Sequence, residues 1–128
     1  MRARYADLFR RMTDTDPMIA DAAFDAVLFD RQEAVPDLIE CYQNSKREPQ
    51  LRYFVVQLLG FSGSPAAVEI LLEALSDKDA GVRAEACRSL EDLSANVAIP
   101  QLEARLSDAD AEVRSAAAEA LSVIRSAV

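Results

Sequence analysis

Three arginines recur at a fixed spacing of 31 residues: Arg52, Arg83 and Arg114. Aspartates accompany them in the predicted turns and first helical turns: Asp77, Asp79, Asp108 and Asp110. A row of guanidinium groups could bind an anion. Alternatively, each arginine bonds an aspartate or a backbone carbonyl of an adjacent repeat, and the pairing fixes how the repeats stack. We interpret the row as structural, because paired and partly buried charges enforce geometry.

The residues that usually carry covalent or metal chemistry are sparse. The chain has two isolated cysteines, Cys41 and Cys87, and no histidine. A thiol nucleophile needs a base to activate it, and zinc sites and disulfide frameworks need spaced ligands or paired cysteines. Both cysteines occupy positions held in other repeats by Ala74 and Ala118, which indicates small packing residues. We predict no catalytic residue, no cofactor and no metal site, and a reducing, cytoplasmic location.

Composition narrows the classes of partner. The 128 residues carry a net charge of −8 and the sequence pI is about 4.5. Such a chain is repelled by nucleic acid and by anionic membranes, so a basic partner is the easier expectation. No apolar run approaches the roughly 20 residues that span a bilayer, and the start "MRARYADLFRRM" lacks the apolar centre of a signal peptide.

A repeat of period 31 organises the chain. "LSDKDAGVRAEACRSL" from Leu75 is followed from Leu106 by "LSDADAEVRSAAAEAL". In a third copy, Leu51, Val55 and Leu59 align with Val82, Ala86 and Leu90. A fourth copy begins near Asp16, at a spacing of 32 from the third. Residues at equivalent positions of different copies are said to share a slot of the repeat. Apolar residues three and four apart predict two helices in each copy, named helix A and helix B.

The repeat predicts an all-α fold, a short α-solenoid of about eight helices in one domain, 1–128. An N-terminal cap helix at 1–13 precedes helix pairs at 14–46, 47–77 and 78–108, and a C-terminal cap helix at 109–128 follows. Asp16 before Pro17 and Ser64 before Pro65 predict helix starts. Gly60 and Gly63 predict the end of the intervening helix A, where a left-handed residue is common.

The pattern D-x-D-x-x-V-R-x-x-A-x-x-x-L, followed by an apolar helix such as "AAVEILLEAL", resembles the HEAT repeat, in particular the PBS-lyase HEAT-like type. The likeness is clearest in the last two copies and looser before Arg47, where Ala20 replaces the arginine. It implies an α-solenoid with A helices on the convex side and B helices on the concave side. HEAT-type proteins are mostly scaffolds and adaptors, with bilin lyases, metal hydroxylases and DNA-binding enzymes among their relatives. The hydroxylases use His-Glu iron ligands, and this chain has no histidine.

Residues that depart from the repeat are candidates for function. Outside the apolar stripe, the B helices carry a set of mainly acidic side chains on the expected concave face: Asp37, Glu40, Glu69, Ile70, Glu73, Gln101 and Arg105. Ile70 is the apolar member and would serve as a central contact. A second candidate patch is Tyr53 and Phe54, either an exposed anchor or a packing contact with the preceding copy.

We therefore predict a non-catalytic protein-protein interaction module, an adaptor that presents a concave acidic surface to an unidentified protein or peptide. The alternative is a phycobilin lyase-like protein or lyase subunit acting on a bilin. Binding of nucleic acid or membranes is not expected. The apolar end at Val123, Ile124 and Val128 predicts a monomer or a weak homodimer through the C-terminal cap.

The N-terminal cap helix has the opposite charge to the rest of the chain. The formal charge is +3, from Arg2, Arg4, Arg10 and Arg11 against Asp7. This asymmetry would suit head-to-tail association or a local acidic contact, and a solvated cap helix is the simpler interpretation.

Overall fold

The computed structural model describes residues 1–127, and within them the chain forms eight α-helices. In order they are α1 (Ala3–Arg11), α2 (Pro17–Phe29), α3 (Val35–Asn44), α4 (Pro49–Phe61), α5 (Val68–Ala74), α6 (Ala80–Asp92), α7 (Ile99–Arg105) and α8 (Ala111–Ser126). Short 3-10 turns, Pro65–Ala67 and Asn96–Ala98, precede α5 and α7. The predicted all-α solenoid is confirmed.

The second aspartate of the repeated motif starts each of three A helices. The side chains of Asp16, Asp79 and Asp110 accept backbone N–H groups at 2.9, 3.1 and 3.1 Å, and each satisfies a donor that has no partner inside its helix. Ser64 accepts the N–H of Ala66 at 3.2 Å and starts the 3-10 turn that precedes α5. The recurrence of these caps explains why the helix starts follow the period of the sequence.

The two glycines predicted at the end of α4 have different roles. Gly63 has φ of +67°, and Ser94, one period later, has φ of +49°, so this turn is left-handed in both copies. Gly60 lies in the last turn of α4, where the sequence predicts the helix to end, but its φ is not positive and it faces α6. A Cβ at Gly60 would lie 2.5 Å from Ser89 Oγ and 2.9 Å from Ser89 Cα. Gly60 is therefore required by the close approach of two helices.

The helices form two layers. The A helices (α2, α4, α6 and α8) pack side by side, and each B helix (α1, α3, α5 and α7) packs against the A helix that follows it. The helix α4 packs extensively against α6, and α6 against α8, whereas α2 makes much less contact with α4, about as much as α1 makes with α3. Fully buried aliphatic side chains fill the space between the layers, including Leu38, Val55, Leu59, Leu71, Leu90 and Leu102. Each such burial contributes about 1.5–3 kcal/mol.

The last helix exposes less apolar surface than expected. Ile124 is fully buried and belongs to the core, whereas Val123 is 42% exposed. The predicted contribution of Val128 lies outside the described residues. No helix within residues 1–127 is long and apolar enough to cross a membrane.

Candidate functional site

Arg52 joins two successive loops of the stack. Its Nε and Nη2 donate to the two carboxylate oxygens of Asp77, both at 2.9 Å. Its Nη1 donates to the backbone carbonyls of Ser45 and Lys46, both at 2.8 Å. The side chains of Arg52 and Asp77 are each 5% exposed. Four of the five N–H groups of Arg52 are thus engaged within the protein.

Arg83 repeats this arrangement one period later. It binds the two oxygens of Asp108 at 3.0 Å each, and its Nη1 donates to the carbonyls of Asp77 and Lys78. Hydrogen bonds from Arg83 lower the pKa of Asp108, and they outweigh the opposing effect of burial. These contacts support the structural interpretation of the arginine row.

Asp77 accepts four hydrogen bonds, as many as Asp108. Burial raises its pKa, but hydrogen bonds from Arg52, the Asp79 N–H and the Tyr42 hydroxyl together outweigh burial. The pKa of Asp77 therefore lies below its usual range. The Tyr42 hydroxyl donates to Asp77 Oδ2 at 2.8 Å. Asp77 is therefore a charged anchor that connects α3, α4 and the start of α6.

Both cysteines lie in the core. Cys41 is 4% exposed and Cys87 is fully buried. Burial raises the pKa of each thiol to about 11, so neither is a thiolate at neutral pH. Within residues 1–127, no group of three or more acidic or cysteine side chains is arranged to hold a metal ion.

Asp37 is buried, which corrects its placement on an exposed face. It accepts hydrogen bonds from the backbone N–H, Nε and Nη2 of Arg2 at 3.1, 2.9 and 2.6 Å. Burial raises its pKa, but these bonds outweigh burial and leave the pKa lowered. Asp37 thus anchors the N-terminal segment to α3. The ion pair of Arg4 with Asp30 makes a second anchor, so part of the basic charge of α1 is used inside the fold.

Ile70 is also unavailable, and Arg105 is partly engaged within the protein. Ile70 is 6% exposed and belongs to the core, so it cannot be the central apolar contact. Arg105 is half-buried, and its Nη1 lies 3.3 Å from Asp108 Oδ2 and 3.4 Å from the Leu75 carbonyl.

The remaining predicted residues stay accessible. Glu69, Glu73 and Gln101 are exposed, and Glu40 is half-buried with its carboxylate 3.0 Å from the N-terminal ammonium. Glu73 lines an open groove of about 290 Å³ between the ends of α3 and α5. The other lining residues are Tyr42, Gln43, Lys46, Arg52, Ser76, Asp77 and Lys78. The B-helix layer thus presents a groove with carboxylate and ammonium groups at its rim.

Tyr53 and Phe54 pack between helices. Phe54 meets Phe24 of α2 edge to face at a centroid distance of 5.8 Å, and Tyr53 meets Phe54 at 5.8 Å. Both side chains are half-buried, and burial raises the pKa of Tyr53. This geometry favours the packing alternative over the exposed anchor.

A second groove, of about 320 Å³, lies on the A-helix layer and was not predicted. Its lining residues are Gln57, Phe61, Glu85, Arg88, Glu91, Asp92 and Glu119. Burial is the main cause that raises the pKa of Glu85, Glu91 and Asp92. The repeat held a signal for it, because Phe61 and Asp92 share a slot and so lie in a row on α4 and α6.

These features define a stack of helix pairs in which arginine-aspartate pairs connect successive loops. A family model for HEAT repeats matches residues 35–122, and the chain belongs to the HEAT-repeat family. Members of this family are generally non-catalytic and commonly mediate protein-protein interaction. No curated protein matches the chain. The PBS-lyase subtype and the bilin alternative stay predictions of the resemblance.

Proposed function

We propose that this chain is a non-catalytic interaction module that binds a basic segment of a partner protein on its B-helix layer. One observation carries the proposal. Glu69 and Glu73 lie one turn apart on α5, both exposed, and neither makes an ion pair within residues 1–127. Two free carboxylates on one helix, one of which lines the groove, favour a cationic ligand.

The distribution of charge supports a basic partner. The net charge is −8, and the arginines of the row and of α1 are largely engaged in internal pairs. The surplus charge at the surface is therefore negative. Such a surface raises the association rate of a positively charged partner, and it does so most strongly at low ionic strength.

The groove beside Glu73 suggests how selectivity arises. Glu73 lies at its rim, together with Lys46 and Lys78. A partner segment with basic side chains toward α5 and a polar or acidic side chain toward the lysines would complement both signs of charge. A uniformly basic segment would meet repulsion at the lysine end. We expect a mixed sequence to bind more tightly than polylysine.

Selection of displayed peptides on the wild-type protein tests this proposal. Selected peptides would then be titrated against Glu69→Lys/Glu73→Lys, and against a control, Asp21→Lys/Asp25→Lys, that makes the same change in net charge at two exposed residues four apart on the A-helix layer. We expect about a tenfold or larger loss of affinity, or about 1.4 kcal/mol, for the α5 variant, and a loss below about threefold for the control.

Two results would contradict the proposal. Equal losses in both variants would show that binding follows the net charge alone. Unchanged affinity in the α5 variant would place the peptide on another surface. Circular dichroism of both variants checks that the helices remain intact, which is expected because all four side chains lie on helix surfaces.

A further inference from the structure

The first A helix carries an unusual amount of exposed apolar surface. Met18 and Phe29 are 81% and 87% exposed, and Ile19 is 42% exposed. Ala22 and Ala26 lie between them, so the stripe runs the length of α2. Together with α1 this stripe forms an open groove of about 590 Å³, lined by Leu8, Arg11, Asp16, Met18, Ile19, Ala22, Ala23 and Ala26.

The repeat explains which face of α2 this is. Ala22 shares its slot with Phe54 of α4, and Phe54 contacts α2. Ala26 shares its slot with Ser89 of α6, and the Ser89 hydroxyl donates to the Val56 carbonyl of α4 at 2.9 Å. In these later helices, residues at the two slots contact the preceding A helix. The stripe on α2 is therefore a surface shaped to receive an A helix.

The opposite end of the stack presents the matching surface. Ala118 of α8 shares its slot with Val56, and Ser122 shares its slot with Gly60, and both earlier residues contact the following A helix. Ala118 and Ser122 are exposed. Small side chains at these slots allow the close approach seen between α4 and α6. The described stack thus begins with a face that accepts an A helix and ends with an A helix whose docking face is free.

At each end of the described stack, one partner of an arginine-aspartate pair is missing. Its pairs join residues 25 positions apart, Arg52 with Asp77 and Arg83 with Asp108. Arg114 donates to the Asp108 carbonyl at 2.7 Å, as Arg83 does to the Asp77 carbonyl, but it has no carboxylate partner within residues 1–127.

Asp14 is the corresponding carboxylate at the other end. It accepts the N–H of Asp16 at 2.8 Å, as Asp77 accepts the N–H of Asp79 at 2.9 Å. No arginine pairs with Asp14 in the part of the chain that the structure describes. One end of the stack therefore lacks an aspartate, and the other end lacks an arginine.

We propose that copies of this chain associate head to tail. In this arrangement α8 of one copy packs on the groove between α1 and α2 of the next copy, and Arg114 pairs with Asp14 across the contact. The lone A helix α8 and the lone B helix α1 then form one complete pair. Because the two surfaces differ, the contact does not close on itself, and association continues beyond a dimer. This inference does not depend on the proposed basic partner.

Sedimentation velocity from micromolar to millimolar concentration tests the proposal with variants that each block one end. Ala22→Arg fills the α2 face, and Ala118→Arg fills the α8 face. Ala66→Arg, at an exposed alanine in the turn before α5, is the matched control. We expect the wild type and the control to sediment faster as concentration rises, and each blocked variant to stay monomeric.

A mixture of the two blocked variants provides the sharpest result. Ala22→Arg keeps a free α8 face and Ala118→Arg keeps a free α2 face, so the mixture should form a 1:1 dimer and nothing larger. Charge reversal provides a second result. Asp14→Arg and Arg114→Asp should each weaken association at least about tenfold at low salt, and the two changes in one chain should restore it.

Several outcomes would overturn the proposal. A wild-type protein that remains monomeric throughout the concentration range excludes it. Association that survives Ala22→Arg indicates a symmetric contact through α8, and association that survives Ala118→Arg indicates a contact between two α2 faces. Blocked variants that fail to pair with each other show that the two faces do not meet.

Discussion

Residues in the same slot are buried and bonded in the middle of the stack but exposed at its ends. Arg52 is buried and bonded to a carboxylate and two carbonyls, whereas Arg114, two periods later, is exposed and bonded to one carbonyl. Gly60 is pressed against Ser89, whereas Ser122 in the same slot is exposed. A slot therefore acquires its structural role only when a neighbouring repeat covers it.

The largest effect is expected from Arg52→Ala. This change removes the cationic partner of the buried Asp77 carboxylate, which keeps only its bonds from the Tyr42 hydroxyl and the Asp79 N–H, and breaking a buried ion pair in this way costs about 3–5 kcal/mol. Urea denaturation followed by circular dichroism measures the loss. Arg114→Ala, the same change in the end slot, should alter the free energy of unfolding of the monomer by less than about 0.5 kcal/mol. Similar losses in the two variants would remove the distinction between middle and end.

The cost of Arg52→Ala should depend on pH. The pKa of Asp77 is lowered in the folded protein, so its charged form contributes stability above the ordinary aspartate pKa of about 3.9, and this contribution is lost as the pH falls through the lower folded value. The destabilisation by Arg52→Ala should therefore shrink below about pH 4. A cost that stays constant from pH 7 to pH 3 would contradict this mechanism.

Gly60→Ala should have the next largest effect. The new Cβ would overlap Ser89, including its backbone Cα at 2.9 Å, and such overpacking costs about 1–3 kcal/mol despite the better helix propensity of alanine. Ser122→Ala in the end slot should be neutral within about 0.5 kcal/mol. Ser89→Gly combined with Gly60→Ala should recover part of the loss, because it removes the overlapping Cβ and Oγ. A double variant as unstable as the sum of the two single changes would argue against a clash at this contact.

The smallest effect is expected from Glu85→Gln. Burial raises the pKa of Glu85, so its charged form destabilises the fold at neutral pH, and a neutral amide should stabilise by about 0.5 kcal/mol, or about 2 °C in Tm. The gain should vanish as the pH falls below the ordinary glutamate pKa of about 4.3, where both proteins carry a neutral side chain. Glu112→Gln removes the exposed partner of Arg88 and serves as the control, with no gain expected. A loss of stability in Glu85→Gln would show that the Arg88 contact outweighs burial.

Much of the architecture was predictable from the sequence. The period of 31 residues indicated the number of helices, and the recurring Asp16, Asp79 and Asp110 indicated where three A helices begin. The structural role of Arg52 and Arg83 also followed from the repeat. These features depend on local hydrogen bonds and on contacts between adjacent repeats, both of which recur whenever the residues recur.

The candidate site was predicted less well. Glu69 and Glu73 are exposed as expected, but Asp37 and Ile70 are buried. Helical periodicity separates an apolar stripe from a polar one, and it does not show which polar residue meets a partner from a distant segment. Asp37 is covered because Arg2, 35 positions earlier, binds it.

The helices, their order and the pairs that join successive loops thus follow from the amino-acid sequence, because they depend on local backbone chemistry repeated at a fixed period. The tertiary structure alone decided which side chains remain accessible. It buried Ile70, fitted Gly60 against Ser89, and left the α2 stripe and the α8 face uncovered within residues 1–127. The reason is that exposure depends on all the surfaces that pack around a residue, and those surfaces belong to neighbouring helices whose positions helical periodicity alone does not specify.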